Sequence, residues 1–130
     1  MGFLVSGIHH VAIICSDYQR SKAFYHEQLG FKIIQETYRQ ERDSYKLDMA
    51  VDEHTQIELF SFPDAPVRAS FPEAQGLRHL AFKTTKLDET VNYLIRQGIS
   101  VENIRLDEIT GKRFTFFQDP DGLPLELYEV

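Results

Sequence analysis

The chain has a single cysteine, Cys15, and no tryptophan. One thiol excludes an intramolecular disulfide, so the fold has to be held by packing, as is usual in a reducing compartment. It also lacks any run of Lys or Arg, and its formal charge is -6. That excludes the one-sided basic face on which nucleic-acid binding depends. No apolar stretch approaches the ~18 residues of a membrane span, and the opening MGFLVSGIHHVAI has neither the basic lead nor the small-residue cleavage site of a secretory signal. The expectation is a cytoplasmic protein whose partner is a small molecule, with no nucleic acid and no membrane. What the chain does have is aromatic bulk: ten Phe and six Tyr in 130 residues supply the core of one domain.

Strands and helices alternate along it. GIHHVAIIC (7–15) is rich in β-branched residues and reads as a strand; SDYQRSKAFYHEQLG follows as a helix capped by Ser16 or Asp17 and closed at Gly30. FKIIQETYRQ, SYKLDMAV and TQIELFSF are three further strands. PDAPVRASFPEAQG has no period and holds three of the five prolines, which marks a linker. Then come LRHLAFKTT as a strand, KLDETVNYLIRQG as a helix ending at Gly98, and ISVENIRLD, KRFTFFQ and LPLELYEV as strands. The reading is an α+β fold of two βαβββ modules, at about 7–62 and 76–130, joined by a linker at 63–75.

Spacing supports a duplication. His10 and His79 are 69 positions apart, whereas Gly30 and Gly98, like Glu58 and Glu126, are 68 apart. One residue fewer in the second helix reconciles them, and HHVAI matches RHLAF as IELF matches LELY. Each module thus repeats a His near the start of its first strand and a Glu within its last. Two imidazoles and two carboxylates suit a divalent zinc, nickel, manganese, iron or cobalt ion.

Strand alternation chooses among neighbours. His10 shares a face with Ala12 and Ile14, and His9 with Val11, Ile13 and Cys15; the repeat selects His10. Glu58 points away from Ile57 and Leu59, and Glu126 away from Leu125 and Leu127. A single Glu between leucines is ordinarily a solvated charge, and a single strand His is ordinarily a hydrogen-bonded polar residue. The repetition of both argues for ligands. His26 and His54 have no repeat partner and read as surface residues. DPDG reads as a turn, with Pro120 presetting φ and Gly122 free to take a positive one. The register after it is open, and a bulge at Gly122 decides whether Phe116 or Thr115 lies beside Glu126.

Through IHHVAIICSDYQRSKAFYHEQLGF, IELFSFP, GLRHLAF and FTFFQDPDGLPLELYE, the chain resembles the vicinal oxygen chelate superfamily from about residue 7 to 130. It is most similar to the superfamily's small glyoxalase I-like bacterial members. The resemblance implies a glyoxalase/bleomycin resistance/dioxygenase-type open barrel with one divalent ion held by His10, Glu58, His79 and Glu126. It also implies a homodimer with sites at the interface, His10 and Glu58 coming from one chain and His79 and Glu126 from the other. The implied activity is that of a metal-dependent lyase or isomerase. Its substrate would be a small 2-oxo or 2-hydroxy compound, such as a hemithioacetal, reacting through an enediolate.

Glu126 is then the first candidate base and Glu58 the second, with Phe60, Phe62 and Tyr128 as an apolar wall and Arg113 as a substrate contact. Arg39, Arg42, Lys46 and Lys112 are further cations available to a carboxylate or phosphate. The chain departs from glyoxalase I at Ile14, where that enzyme has an Arg that holds glutathione, and near Phe62, where it has an Asn. The alternatives are a dioxygenase or thiol transferase of the same superfamily, which use three ligands, and a non-catalytic drug-binding module, which generally lacks the set.

Overall fold

The computed structural model describes residues 2–130. They divide between Pro66 and Val67 into two units, each built on one open, mixed four-stranded sheet. In the first unit β1 (His10–Cys15), β2 (Lys32–Arg39), β3 (Ser44–Ala50) and β4 (Gln56–Ser61) lie in the order β1-β4-β3-β2. β1 runs parallel to β4 because a helix carries the chain back between β1 and β2; the β2–β3 and β3–β4 pairs are antiparallel. Alternation sorts the side chains: Ile13, Cys15, Leu47, Met49, Ile57 and Leu59 are buried on one face together with Tyr18, Phe24 and Tyr25 of the helix.

That helix begins as α1 (Tyr18–Lys22), with the Asp17 carboxylate accepting from Arg20 N at 3.2 Å. It continues as a π-helical turn over Ala23–Gln28, in which Leu29 N donates to Phe24 O at 2.9 Å, five residues back. A single α-helix is expected here from the apolar pattern. The π turn takes up one extra residue, which gives a physical form to the offset of 69 against 68. The Lys22 ammonium, 2.8 Å from Glu36 Oε2, and the Tyr18 hydroxyl both bind the Glu36 carboxylate, hold it below the usual carboxylate range, and tie the helix to β2.

The second unit repeats the plan with β5 (Leu80–Thr84), α2 (Leu87–Arg96), β6 (Arg105–Leu106), β7 (Arg113–Gln118) and β8 (Pro124–Glu129) in the order β5-β8-β7-β6. Here the helix stays α, Gln97 N donating to Tyr93 O at 3.1 Å, and it closes at Gly98 with φ 81°, as the first closes at Gly30 with φ 85°. The strand expected over ISVENIRLD shortens to Arg105–Leu106. Ahead of it single bonds replace a ladder: Glu102 N donates to Phe116 O at 2.9 Å, and the buried Thr115 Oγ1 donates to Glu102 O at 2.7 Å. Similarly, β1 starts at His10 rather than at Gly7.

Two loops are built by side chains. Between residues 63 and 76 there is no helix or strand, but Arg68 donates to Ser70 Oγ at 3.0 Å and to the carbonyls of Leu77 and Arg78 at 3.1 and 2.7 Å. In DPDG the buried Asp119 carboxylate accepts from Asp121 N and Leu123 N at 2.9 and 3.0 Å, and Gly122 takes φ 83°. Among the described residues no helix is long and apolar enough to cross a membrane.

Candidate metal-binding site

Each sheet keeps one face for apolar packing and turns the other toward a His–Glu pair. In the first unit Glu58, in the middle of β4, lies between Ala12 of β1 and Asp48 of β3. Its Oε2 is 3.4 Å from His10 Nδ1 at the start of β1. The same His10 nitrogen is 2.9 Å from His9 Nδ1, with the two rings edge-on. A link between these neighbours is not visible in strand alternation, which sends them to opposite faces. Lys46 Nζ stands 3.1 Å from Asp48 Oδ1 and 3.9 Å from Glu58 Oε2, so Glu58 has a cation at its side.

In the second unit His79 Nε2 is 3.0 Å from Glu126 Oε1. Glu126 is only 9% exposed, and among the described residues His79 is its one partner at ion-pair distance. The pairing across β7 and β8 answers the register question: Phe116, not Thr115, faces Glu126, and the His79 ring meets Phe116 edge-on at 5.1 Å. Phe114 stacks on Tyr128 one step further along. The Tyr128 hydroxyl is engaged with Thr110 Oγ1 at 2.5 Å and donates to Asp107 Oδ2 at 2.9 Å, holding that carboxyl below its usual range. Tyr128 therefore offers its ring rather than its hydroxyl. A cavity of about 410 Å³, lined in part by Arg68, Phe71 and Arg78, opens beside Pro124, two residues before Glu126 on the same face.

Phe60 and Phe62 lie parallel, with centroids 6.0 Å apart, and Phe60 occupies the row next to Glu58 between Ile14 and Lys46. Arg113 points the other way. The β7–β8 register puts it on the helix-packed face, where its Nη2 is 2.9 Å from Asp88 Oδ2 and 2.7 Å from Glu129 Oε2. It clamps the start of α2 to β8, and its guanidinium holds the Asp88 and Glu129 carboxyls below the usual range.

The pairs meet the chemical needs of a divalent ion. Zinc-type ions bind imidazole nitrogen and carboxylate oxygen at about 2.0–2.2 Å, so adjacent donors on one ion stand about 3 Å apart; the observed separations are 3.0 and 3.4 Å. Among the described residues no group of three or more His, Cys, Asp or Glu side chains gathers into a cluster. Each pair could thus contribute two ligands, one imidazole nitrogen and one carboxylate oxygen.

The fold and the sequence identify a family: the chain belongs to the Glyoxalase/Bleomycin resistance protein/Dioxygenase superfamily, whose model matches residues 7–127. It is 64% identical over 126 residues to the uncharacterized protein YwkD of Bacillus subtilis (strain 168), covering 97% of this chain and 98% of that protein. It is 57% identical over 122 residues to the uncharacterized protein YaeR of Escherichia coli (strain K12), covering 94% and 95%. The crystal structure of a glyoxalase family protein from Enterococcus faecalis, 49% identical, superposes with a TM-score of 0.91 over 98% of this chain and all of that one.

Proposed function

We propose that the protein is a metal-dependent lyase or isomerase of glyoxalase type. It acts on a small compound with oxygens on neighbouring carbons, a 2-oxo or 2-hydroxy compound such as a hemithioacetal. His10, Glu58, His79 and Glu126 hold one divalent ion, nickel, zinc, manganese, cobalt or iron, and the four ligands are shared between the chains of a cytoplasmic homodimer.

The observation that carries this reading is Glu126, a nearly buried carboxylate whose one charged-pair partner among the described residues is an imidazole. A carboxylate taken out of water calls for a compensating cation, and the repeat-matched His–Glu pair in the other unit supplies the same kind of donors. When bound, such an ion supplies Lewis-acid stabilisation of negative charge developing on a substrate oxygen.

The chain's own residues do the rest. Glu126 takes a proton from one substrate carbon and returns it to its neighbour, with Glu58 as the second base. Lys46 Nζ, 3.9 Å from Glu58 Oε2, gives Glu58 a second charged neighbour beside its imidazole. Phe114, Phe116 and the ring of Tyr128 line the Glu126 face, and Phe60 and Phe62 line the Glu58 face, giving both carboxylates apolar neighbours. Proton-moving chemistry also draws support from a 2-epi-5-epi-valiolone epimerase of Actinomyces sp, 27% identical over 144 residues, covering 95% of this chain and 79% of that protein.

The test is elemental analysis of the purified protein, followed by reloading with each metal and assay on methylglyoxal–glutathione hemithioacetal and a panel of 2-oxo acids. Turnover dependent on one of the metals is expected. Failure to take up any of the five ions would overturn the proposal.

A further inference from the structure

The open face of the first sheet carries more than the His–Glu pair. We infer that Arg39, at the end of β2, forms an oxyanion subsite next to Glu58, so that the substrate bears a carboxylate or phosphate across a short apolar spacer from its chelating oxygens. The inference rests on the metal reading, to which it adds a substrate class.

Glu58 and Phe60 are two residues apart on β4 and share a face, about 6.7 Å along the strand. The Arg39 guanidinium carbon stands 5.0 Å from the centroid of Phe60 and 5.6 Å from that of Phe62. Stacking on two parallel rings holds the cation in place. Its Nη2 donates to Ser44 Oγ at 2.9 Å, but its Nε is buried without a hydrogen-bond partner. Arg42 lies over Phe62 at 4.9 Å. Among the described residues neither guanidinium pairs with a carboxylate, although the chain has 20 acidic and 14 basic residues. Lys46 on the same face is already committed to Asp48 and Glu58.

The second unit supplies an internal comparison. Arg105 stacks over Phe114 and Phe116 at 5.1 and 5.5 Å in the same manner, but Glu102 stands 3.5 Å from its Nη2. Its charge is balanced where that of Arg39 is not. A rigid guanidinium with uncommitted donors, beside a chelating pair and above an aromatic floor, fits a planar oxyanion.

The test is calorimetric titration of metal-loaded protein with 2-oxoglutarate and with 2-oxopentanoate, which share a 2-oxo acid head and a chain length and differ in the distal carboxylate. 2-Oxo-4-phosphonobutanoate as a third probe separates a carboxylate preference from a phosphate one. The expected result is at least tenfold tighter binding of a doubly anionic probe than of 2-oxopentanoate. Arg39→Gln should abolish that preference while leaving 2-oxopentanoate affinity unchanged, and Arg96→Gln, on the exposed end of α2, should keep it. Equal affinities in the unmodified protein, binding of no probe, or a preference that survives Arg39→Gln would overturn the inference. Titration with metal alone reports separately on the metal reading. A protein that binds metal without the preference loses only the subsite. A protein that binds no metal loses the metal reading, and the subsite then stands or falls on the preference of the metal-free protein.

Discussion

Replacing Glu126 with Gln isolates the charge of one ligand while keeping its shape. The side chain is nearly buried on the face opposite Leu125 and Leu127, pairs with Phe116, and lies 3.0 Å from His79 Nε2. Gln fills the same volume, so packing is retained and the change falls on metal affinity. A ligand that binds only the folded state raises stability by RT ln(1 + [L]/Kd), about 2.7 kcal/mol at a hundred times Kd. For a chain of this length that is a melting-temperature rise of roughly 8–14 °C, since each kcal/mol moves Tm by about 3–5 °C. If loss of the anionic oxygen weakens affinity about a hundredfold, the same metal concentration yields only RT ln 2, about 0.4 kcal/mol, or roughly 1–2 °C. The assay is differential scanning calorimetry with and without the divalent ion at matched concentration. Glu129→Gln is the control, because Glu129 lies on the same strand but on the opposite face, bound to Arg113. A metal-induced rise in Glu126→Gln equal to that of the unmodified protein would refute the reasoning.

Other expectations follow from the same geometry. Leu59 is fully buried and Ile14 half exposed on the other face, so Leu59→Ala should cost about 2–5 kcal/mol in urea melts, and Ile14→Ala a small fraction of that; equal costs would contradict the assigned faces. Asp88 and Glu129 have lowered carboxyl pKa values through Arg113. Their contribution is therefore complete above the ordinary carboxylate range, near pH 4, and is lost as pH falls through the lowered values. The Tm deficit of Arg113→Gln should be full at pH 7 and shrink below about pH 4, and a deficit independent of pH would refute the clamp. For the shared homodimer site, a chain carrying His10→Ala and Glu58→Gln, mixed with one carrying His79→Ala and Glu126→Gln, should regain metal binding in the mixed dimer, which keeps one intact set. Mixed dimers that bind no metal would refute sharing between chains.

Much of the fold was legible because duplication doubles each weak signal: the His, Gly and Glu spacings locate the elements twice. What escaped has physical causes. Ile99 and Val101 carry strand propensity, but the segment is held by single bonds to Thr115 and Phe116, which depend on tertiary placement. The π turn leaves no trace in apolar pattern and shows only as one surplus residue. Alternation assigned the faces of Glu58 and Glu126, but the face of Arg113 depends on how β7 pairs with β8. That register is set by the buried Asp119 turn and Gly122 rather than by any property of Arg113 itself. The stacking of Arg39 on Phe60 and Phe62 spans β2 and β4, with β3 between them, so no local pattern announces it.

The central claim is that two His–Glu pairs on separate units serve one ion, and titration of the metal-free protein tests it most directly by counting ions per chain and measuring how the pairs depend on each other. The account predicts one divalent ion per chain, with binding abolished alike by His10→Ala with Glu58→Gln and by His79→Ala with Glu126→Gln. Two ions per chain, or one pair binding with unchanged affinity after loss of the other, would contradict it.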